Sequence, residues 1–200
     1  MKQSIFNAMM ALKNLLIVAG LLALAACTSP QVRFHTLMQP PAQQIQGYGQ
    51  ADISVTSVSV PAQVDRSELV IRKADSELLV LSSDWWSASL GEEIRSALVA
   101  GFGPGATDAP QVGLRLQITR FDSVAGEQAW LEARYRVTAM DDEGKRPLTC
   151  SARLRTAAAA ADGETVDTLV LAQQENLRLL SEHVMQAASG LVAGHGCPEV

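Results

Sequence analysis

The chain reads as an α/β protein: a single two-layer domain with a mixed β-sheet packed by two main helices, in the order β-β-β-β-α-β-β-β-α. Two observations and one packing rule predict this class. Short β-branched or alternating runs, bounded by turn residues, fall into two groups. Each group is followed by one stretch of helical period, at residues 86–102 and 165–191. Sheets and helices each bury one face, so this alternation favours helices laid on a sheet.

Residues 1–26 have the pattern of an export signal. Lys2 and Lys13 carry positive charge, and LLIVAGLLALAA (15–26) is apolar without an acidic residue. A spanning helix needs roughly 20 apolar residues, more than this run supplies. The run ends in LAAC, residues 24–27, which resembles the lipobox of bacterial lipoproteins. A thiol at Cys27 can take a thioether-linked diacylglycerol, and cleavage then frees its α-amine for another acyl chain. Buried methylenes at about 0.8 kcal/mol each make several chains a stable anchor. Thr28 in place of Asp favours the outer membrane by resemblance to lipoprotein sorting. An ordinary cleaved leader with an incidental cysteine is the alternative.

Residues 27–50 are rich in Pro, Gln and Gly and read as a lipidated N-terminus and tether, with one short extended segment, VRFHTL. The domain is expected over residues 51–200. DISVTSVSVP supplies a β-branched strand, and ELVIRK and ELLVLSS are two more, separated by ADS. The next stretch places Trp86, Leu90, Ile94, Leu98 and Phe102 four residues apart, on one helix face, with Glu92 and Glu93 on the solvated side. Ser83 or Asp84 is positioned to cap such a helix; Ser89 with Glu92 is a competing capping box one turn later. GFGPG (101–105) closes it.

In the second group, VGLRLQITRF sets Val112, Leu114, Leu116 and Ile118 against polar residues. AWLEARYRVTAM sets Leu131, Ala133, Tyr135 and Val137 against Trp130, Arg134 and Arg136. A turn at DDEG leads into LTCSARLRT. The final helix has Leu169, Val170, Leu177, Leu180, Val184, Ala188 and Leu191 on one side.

Loss of the leader moves the formal charge from −5 to −7, because it holds two lysines and no acid. That balance argues against a nucleic-acid binder and against a polybasic membrane-surface protein. With Cys27 assigned to lipid, Cys150 and Cys197 remain, an even number in an oxidising compartment. They either pair, which is favoured, or stay as two free thiols.

Catalytic and cofactor motifs are missing from the sequence. GFGPG ends a helix instead of opening one, so it is not a dinucleotide fingerprint. His35, His183 and His195 are scattered: His35 beside the tether, His183 on the solvated side of the last helix, His195 in the tail. No catalytic residue, metal site or cofactor is assigned.

VSVPAQVDRSELVIR, followed by WSASLGEEIRSAL, resembles the paraquat-inducible protein C family, auxiliary lipoproteins of ABC-type transport systems that work with MCE proteins. The matching features are Val60 and Pro61, Asp65 and Arg66, and Trp86 with Leu90. ITRFDSVAGEQAWLEARYRV and LVLAQQENLRLLSEHV are also similar. Ala88 and Ser89 replace the family's Glu-Pro, and Trp85 stands where Arg is frequent. The resemblance implies a non-enzymatic lipoprotein on the periplasmic face of the outer membrane. It would dock with an MCE-type protein to move phospholipid or other apolar molecules, with a homo-oligomeric ring as a further implication. A stand-alone envelope lipoprotein that binds a small apolar ligand is the alternative.

The tryptophan doublet splits in either of two geometries. In a helix from Trp86, or in an extended pair before a helix at Leu90, one ring is buried and the other is available. Trp86 is the expected core anchor. Trp85, Asp65 and Arg66 are the candidate partner or subunit contacts, and Pro61, Trp86 and Leu90 the structural motif.

Overall fold

The computed structural model describes residues 31–40, 51–140, 146–158 and 165–198, together with Phe6, Met10 and Lys13. Residues 1–31 and 32–200 are separate compact units. In the first, Phe6, Met10 and Lys13 are helical. Cys27 and the turn expected at DDEG lie outside the described residues. No helix among those described is long and apolar enough to cross a membrane.

The second unit runs β1 (Arg33–His35), β2 (Asp52–Ser59), β3 (Glu68–Ala74), β4 (Glu77–Trp86), α1 (Leu90–Phe102), β5 (Gln111–Val124), β6 (Gln128–Ala139), β7 (Leu148–Ala157) and α2 (Thr165–Ala193). This is the expected order. The seven strands form one mixed sheet, ordered β1-β4-β3-β5-β6-β7, with β2 also paired to β5. β5 is the axis. One of its edges is shared, pairing in parallel with β2 from Asp52↔Gln111 to Ser59↔Gln117, then with β3 at Arg72↔Val124. Its other edge runs antiparallel to β6, and β6 antiparallel to β7.

Alternation decides which face is core. Val112, Leu114, Leu116 and Ile118 are buried, and so are Leu131, Ala133, Tyr135 and Val137 on β6. A register shift between Ile118 and Arg120 resets the β5 pattern, so that Phe121 and Ser123 point inward instead. The α2 stripe from Leu169 to Leu191 is buried as the helical period requires, and Ile94 and Leu98 of α1 join the same core.

The first helix begins at Leu90, four residues after Trp86. Strand pairing explains the difference: β1 holds residues 84–86 on one side (Phe34↔Trp85, His35↔Trp86) and β3 on the other (Glu68↔Trp85). A doublet bonded into two ladders stays extended. Ser89 sits at the N-cap without a side-chain cap bond, so the expected capping box does not close. Gly103, at φ 63°, ends the helix where a side chain is disfavoured. Gly105 lies so near β2 that a Cβ there would meet Asp52 Cβ at 2.5 Å.

Candidate functional site

The corner where β1, β4 and the start of α1 meet concentrates buried charge. Asp84, 5% exposed, accepts hydrogen bonds from Arg33 Nε (2.8 Å) and Ser83 Oγ (2.9 Å), with His35 Nε2 at 2.9 Å. Burial alone would push its carboxyl up. The bonds from His35 and Ser83 and the charge of Arg33 outweigh that and hold it below the usual carboxylate range. Asp84 is therefore no helix cap but the ion that fixes β1 against β4.

Glu93 is a second correction, since it does not belong to the solvated side. It is 5% exposed, and three donors converge on it: Thr36 Oγ1 and the Leu37 amide at 2.9 Å each, and Ser87 Oγ at 2.5 Å. Gln174 of α2 donates to Thr36 O at 2.9 Å, and Gln39 donates to Gln174 O at 3.1 Å. Residues 33–39 are thus bonded to β4, α1 and α2, and Leu37 is fully buried among them.

The motif residues divide into structural and exposed groups. Pro61 follows the end of β2, and its carbonyl accepts from the amides of Val64 and Asp65 at 3.0 and 3.1 Å. The Asp65 carboxylate lies over the first turn of α1, where a Cβ on Gly91 would stand 3.7 Å from Oδ1. That end of a helix favours negative charge. Leu90 and Trp86 are buried, with Trp86 set edge-on to Phe121 at 6.4 Å. Trp85 is half-buried, edge-on to Phe34 at 6.4 Å, and donates its indole N–H to Ser82 O. Phe34 is 67% exposed. Arg66 pairs with Glu68, the cross-strand partner of Trp85, at 3.3 Å. Arg66, Glu68, Trp85 and Phe34 therefore lie along one corner of the sheet, while Asp65 faces the helix start.

The segment AQQEN on α2 is an internal staple. Gln173 and Asn176 are wholly buried. Gln173 donates to Asp122 O (3.0 Å) and Ser123 Oγ (3.2 Å), and Asn176 donates to Ala129 O and Gln173 Oε1 (3.2 Å each) while accepting from Thr156 Oγ1 (2.8 Å). Side-chain amides here satisfy strand groups that a purely apolar helix would leave bare.

The family model for the ABC-type transport auxiliary lipoprotein component matches residues 35–185, from β1 into α2. The chain belongs to that family. Its fold is similar to two solved structures. One is a crystal structure of an uncharacterized protein, at TM-score 0.59 and 14% identity, covering 79% of this chain and 98% of the other. The second is a Xanthomonas campestris protein of family DUF330, at TM-score 0.55 and 17% identity, covering 84% and 95%. No curated protein matches.

In this auxiliary lipoprotein the tail is tied to the body: Cys150 of β7 and Cys197 form a disulfide, with Cα atoms 5.7 Å apart. His183 corrects the expectation of a solvated histidine. Its Nδ1 lies 2.7 Å from the hydroxyl of Tyr135, and burial pushes its pKa down. The same burial raises the Tyr135 phenol above its ordinary range. Among the described residues, no three His, Cys, Asp or Glu are grouped to hold a metal ion. The crevice between residues 37–39, α1 and α2 measures about 20 Å³, room for roughly one water.

Sequence reasoning missed His35, Asp84, Glu93 and Gln174. Apart from Ser83 and Ser87, their partners lie 49 to 138 residues away along the chain, so no local pattern marks the contacts that join the elements. The family's Gln-containing helix was visible as a resemblance, but its role as a staple was not.

Proposed function

We propose that this protein is anchored through Cys27 to the periplasmic face of the outer membrane. There it serves as a non-catalytic auxiliary subunit of an MCE/ABC-type intermembrane lipid transport system. The family match across residues 35–185 carries the reading, and the LAAC sequence supports the anchor. The exposed corner of Phe34, half-buried Trp85 and Arg66 is the proposed contact for the MCE-type partner or for neighbouring copies in a ring. Aromatic and Arg side chains are the residue types most enriched at interface hot spots. Asp65, next to Arg66 in the chain and exposed over the start of α1, is a further proposed contact.

The test is co-purification of the detergent-extracted lipoprotein with an MCE-type protein encoded beside it. Association is expected, and Trp85→Ala should weaken it at least about 10-fold, a modest hot-spot effect. No association, with no membrane-permeability defect on deletion, would overturn the assignment. The alternative of a stand-alone apolar-ligand carrier gains nothing from the narrow α1–α2 crevice. Lipid retained by the purified protein without a partner would favour it.

A further inference from the structure

We propose that the helix-free face of the sheet docks on the phosphate headgroups of an anionic phospholipid membrane. Arg115, Arg134, Arg136, Arg153 and Arg155 are exposed on three adjacent strands, β5 to β7. They lie opposite the buried positions that face the helices. Arg115 and Arg136 are directly paired across β5 and β6, a like-charge arrangement that costs stability unless an anion lies between them. None of the five has a carboxylate partner among the described residues, although the chain holds 21 acids. Among the described residues, Glu132, directly across from Arg153, pairs with Arg120 at 3.6 Å, and Asp122, across from Trp130, pairs with Arg72 and Arg120.

The surroundings suit phosphate. Arg134 and Arg136 lie opposite Ser151 and Thr149, so hydroxyls stand beside the guanidinium groups. Thr56, Thr138 and Met140 complete an open depression around Arg115 and Arg136. A guanidinium fork matches two phosphate oxygens at once. Trp130 lies between Arg120 at 4.6 Å and Arg155 at 5.3 Å, an aromatic surface within the cationic array.

A membrane fits this face better than an acidic peptide because of breadth and distance. The arginines spread across three strands as an array, whereas an extended peptide would follow one line. Distance follows from the anchor, so this part rests on the lipidation of Cys27 proposed above. β1 begins at Arg33, six residues after Cys27, and such a length of chain spans at most about 20 Å. The sheet is then held close to the bilayer. The net charge of −7 for the chain without its leader hides this feature, because folding segregates the arginines onto one face.

The test uses the mature chain, residues 27–200, expressed without the leader and carrying Cys27→Ala, so that neither the apolar leader nor an acyl anchor contributes, in co-sedimentation with phosphatidylglycerol-containing and pure phosphatidylcholine vesicles. Binding to the anionic vesicles only, weakened by added salt, is expected. Arg115→Gln with Arg136→Gln should lower the partition about 25-fold, at about 5-fold per arginine near an anionic surface. Arg134→Gln with Arg153→Gln, at equally exposed positions, should act likewise, and circular dichroism verifies that both variants fold. Equal binding to neutral vesicles, or wild-type binding by both variants, overturns the proposal. Release by millimolar inorganic phosphate at constant ionic strength would make this a free-phosphate site, also overturning it. Variants that keep vesicle binding but lose a protein partner would reassign the face to protein docking. The mass of the mature wild-type N-terminus tests lipidation separately; an unlipidated Cys27 removes the distance argument and leaves the vesicle result intact.

Discussion

Glu93→Ala removes the carboxylate that joins residues 36 and 37 to the start of α1. Three donors lose their acceptor: the hydroxyls of Thr36 and Ser87, and the amide of Leu37. Thr36 and Ser87 are exposed, so their hydroxyls can turn to water. The Leu37 residue is 1% exposed, and its amide is left unsatisfied. An orphaned buried donor costs about 1–3 kcal/mol, and each hydrogen bond to a charged group contributes about 1.5–3 kcal/mol. With partial rescue by water, the expected loss is about 3 kcal/mol. At a urea slope of about 2 kcal/mol/M, the midpoint falls by about 1.5 M. Glu93→Gln keeps the shape and loses the charge, so about 1–2 kcal/mol is expected. Hydrogen exchange locates the effect: the Leu37 amide should lose protection before the β6 amides do. Gln174 still holds the Thr36 carbonyl, so the segment loosens without detaching, and Glu93→Ala with Gln174→Ala should be non-additive. A loss below about 0.5 kcal/mol, the scatter of neutral surface changes, would refute this account. So would a large loss with Leu37 protection unchanged.

Trp86→Ala should cost about 3–5 kcal/mol as a core truncation, measured by urea unfolding. Trp85→Ala should stay within about 1 kcal/mol while weakening assembly; the reverse order would mean the two rings have exchanged roles. Cys197→Ser opens a disulfide loop with a sequence separation of 47, and the loop-entropy model gives a loss of about 4 kcal/mol. Two reactive thiols in the folded, non-reduced wild type would contradict the bridge. His183 has a folded pKa below its unfolded value, so the unfolded state binds more protons in the window between them. Stability should therefore be full above about pH 6.5 and fall as pH drops from there through the folded value. His183→Gln should flatten that slope in pH-dependent urea titrations, and an unchanged slope would place its origin elsewhere. At lower pH, Asp84 and Asp122, both held below the carboxylate range, add a loss that begins below about pH 4.

The amino-acid sequence determines the order of elements and the buried faces, because both are local periodicities. Period two on β5 and β6 and period 3.6 on α2 each name their buried residues, whichever partner covers them. The lipobox and the family motifs are equally local. Only the tertiary structure decides what pairing across the chain controls. Trp85 and Trp86 match a helical stripe, yet the ladders to β1 and β3 keep them extended and begin the helix at Leu90. Asp84 and Glu93 look like a cap and a solvated acid until residues 33–37 bond to them, β1 to Asp84 and the two residues after it to Glu93. Composition reports an acidic chain, whereas the register of β5, β6 and β7 gathers five exposed arginines onto one face. A strand's register is set by contacts distant in sequence, so charge placement across a sheet cannot be read from charge totals.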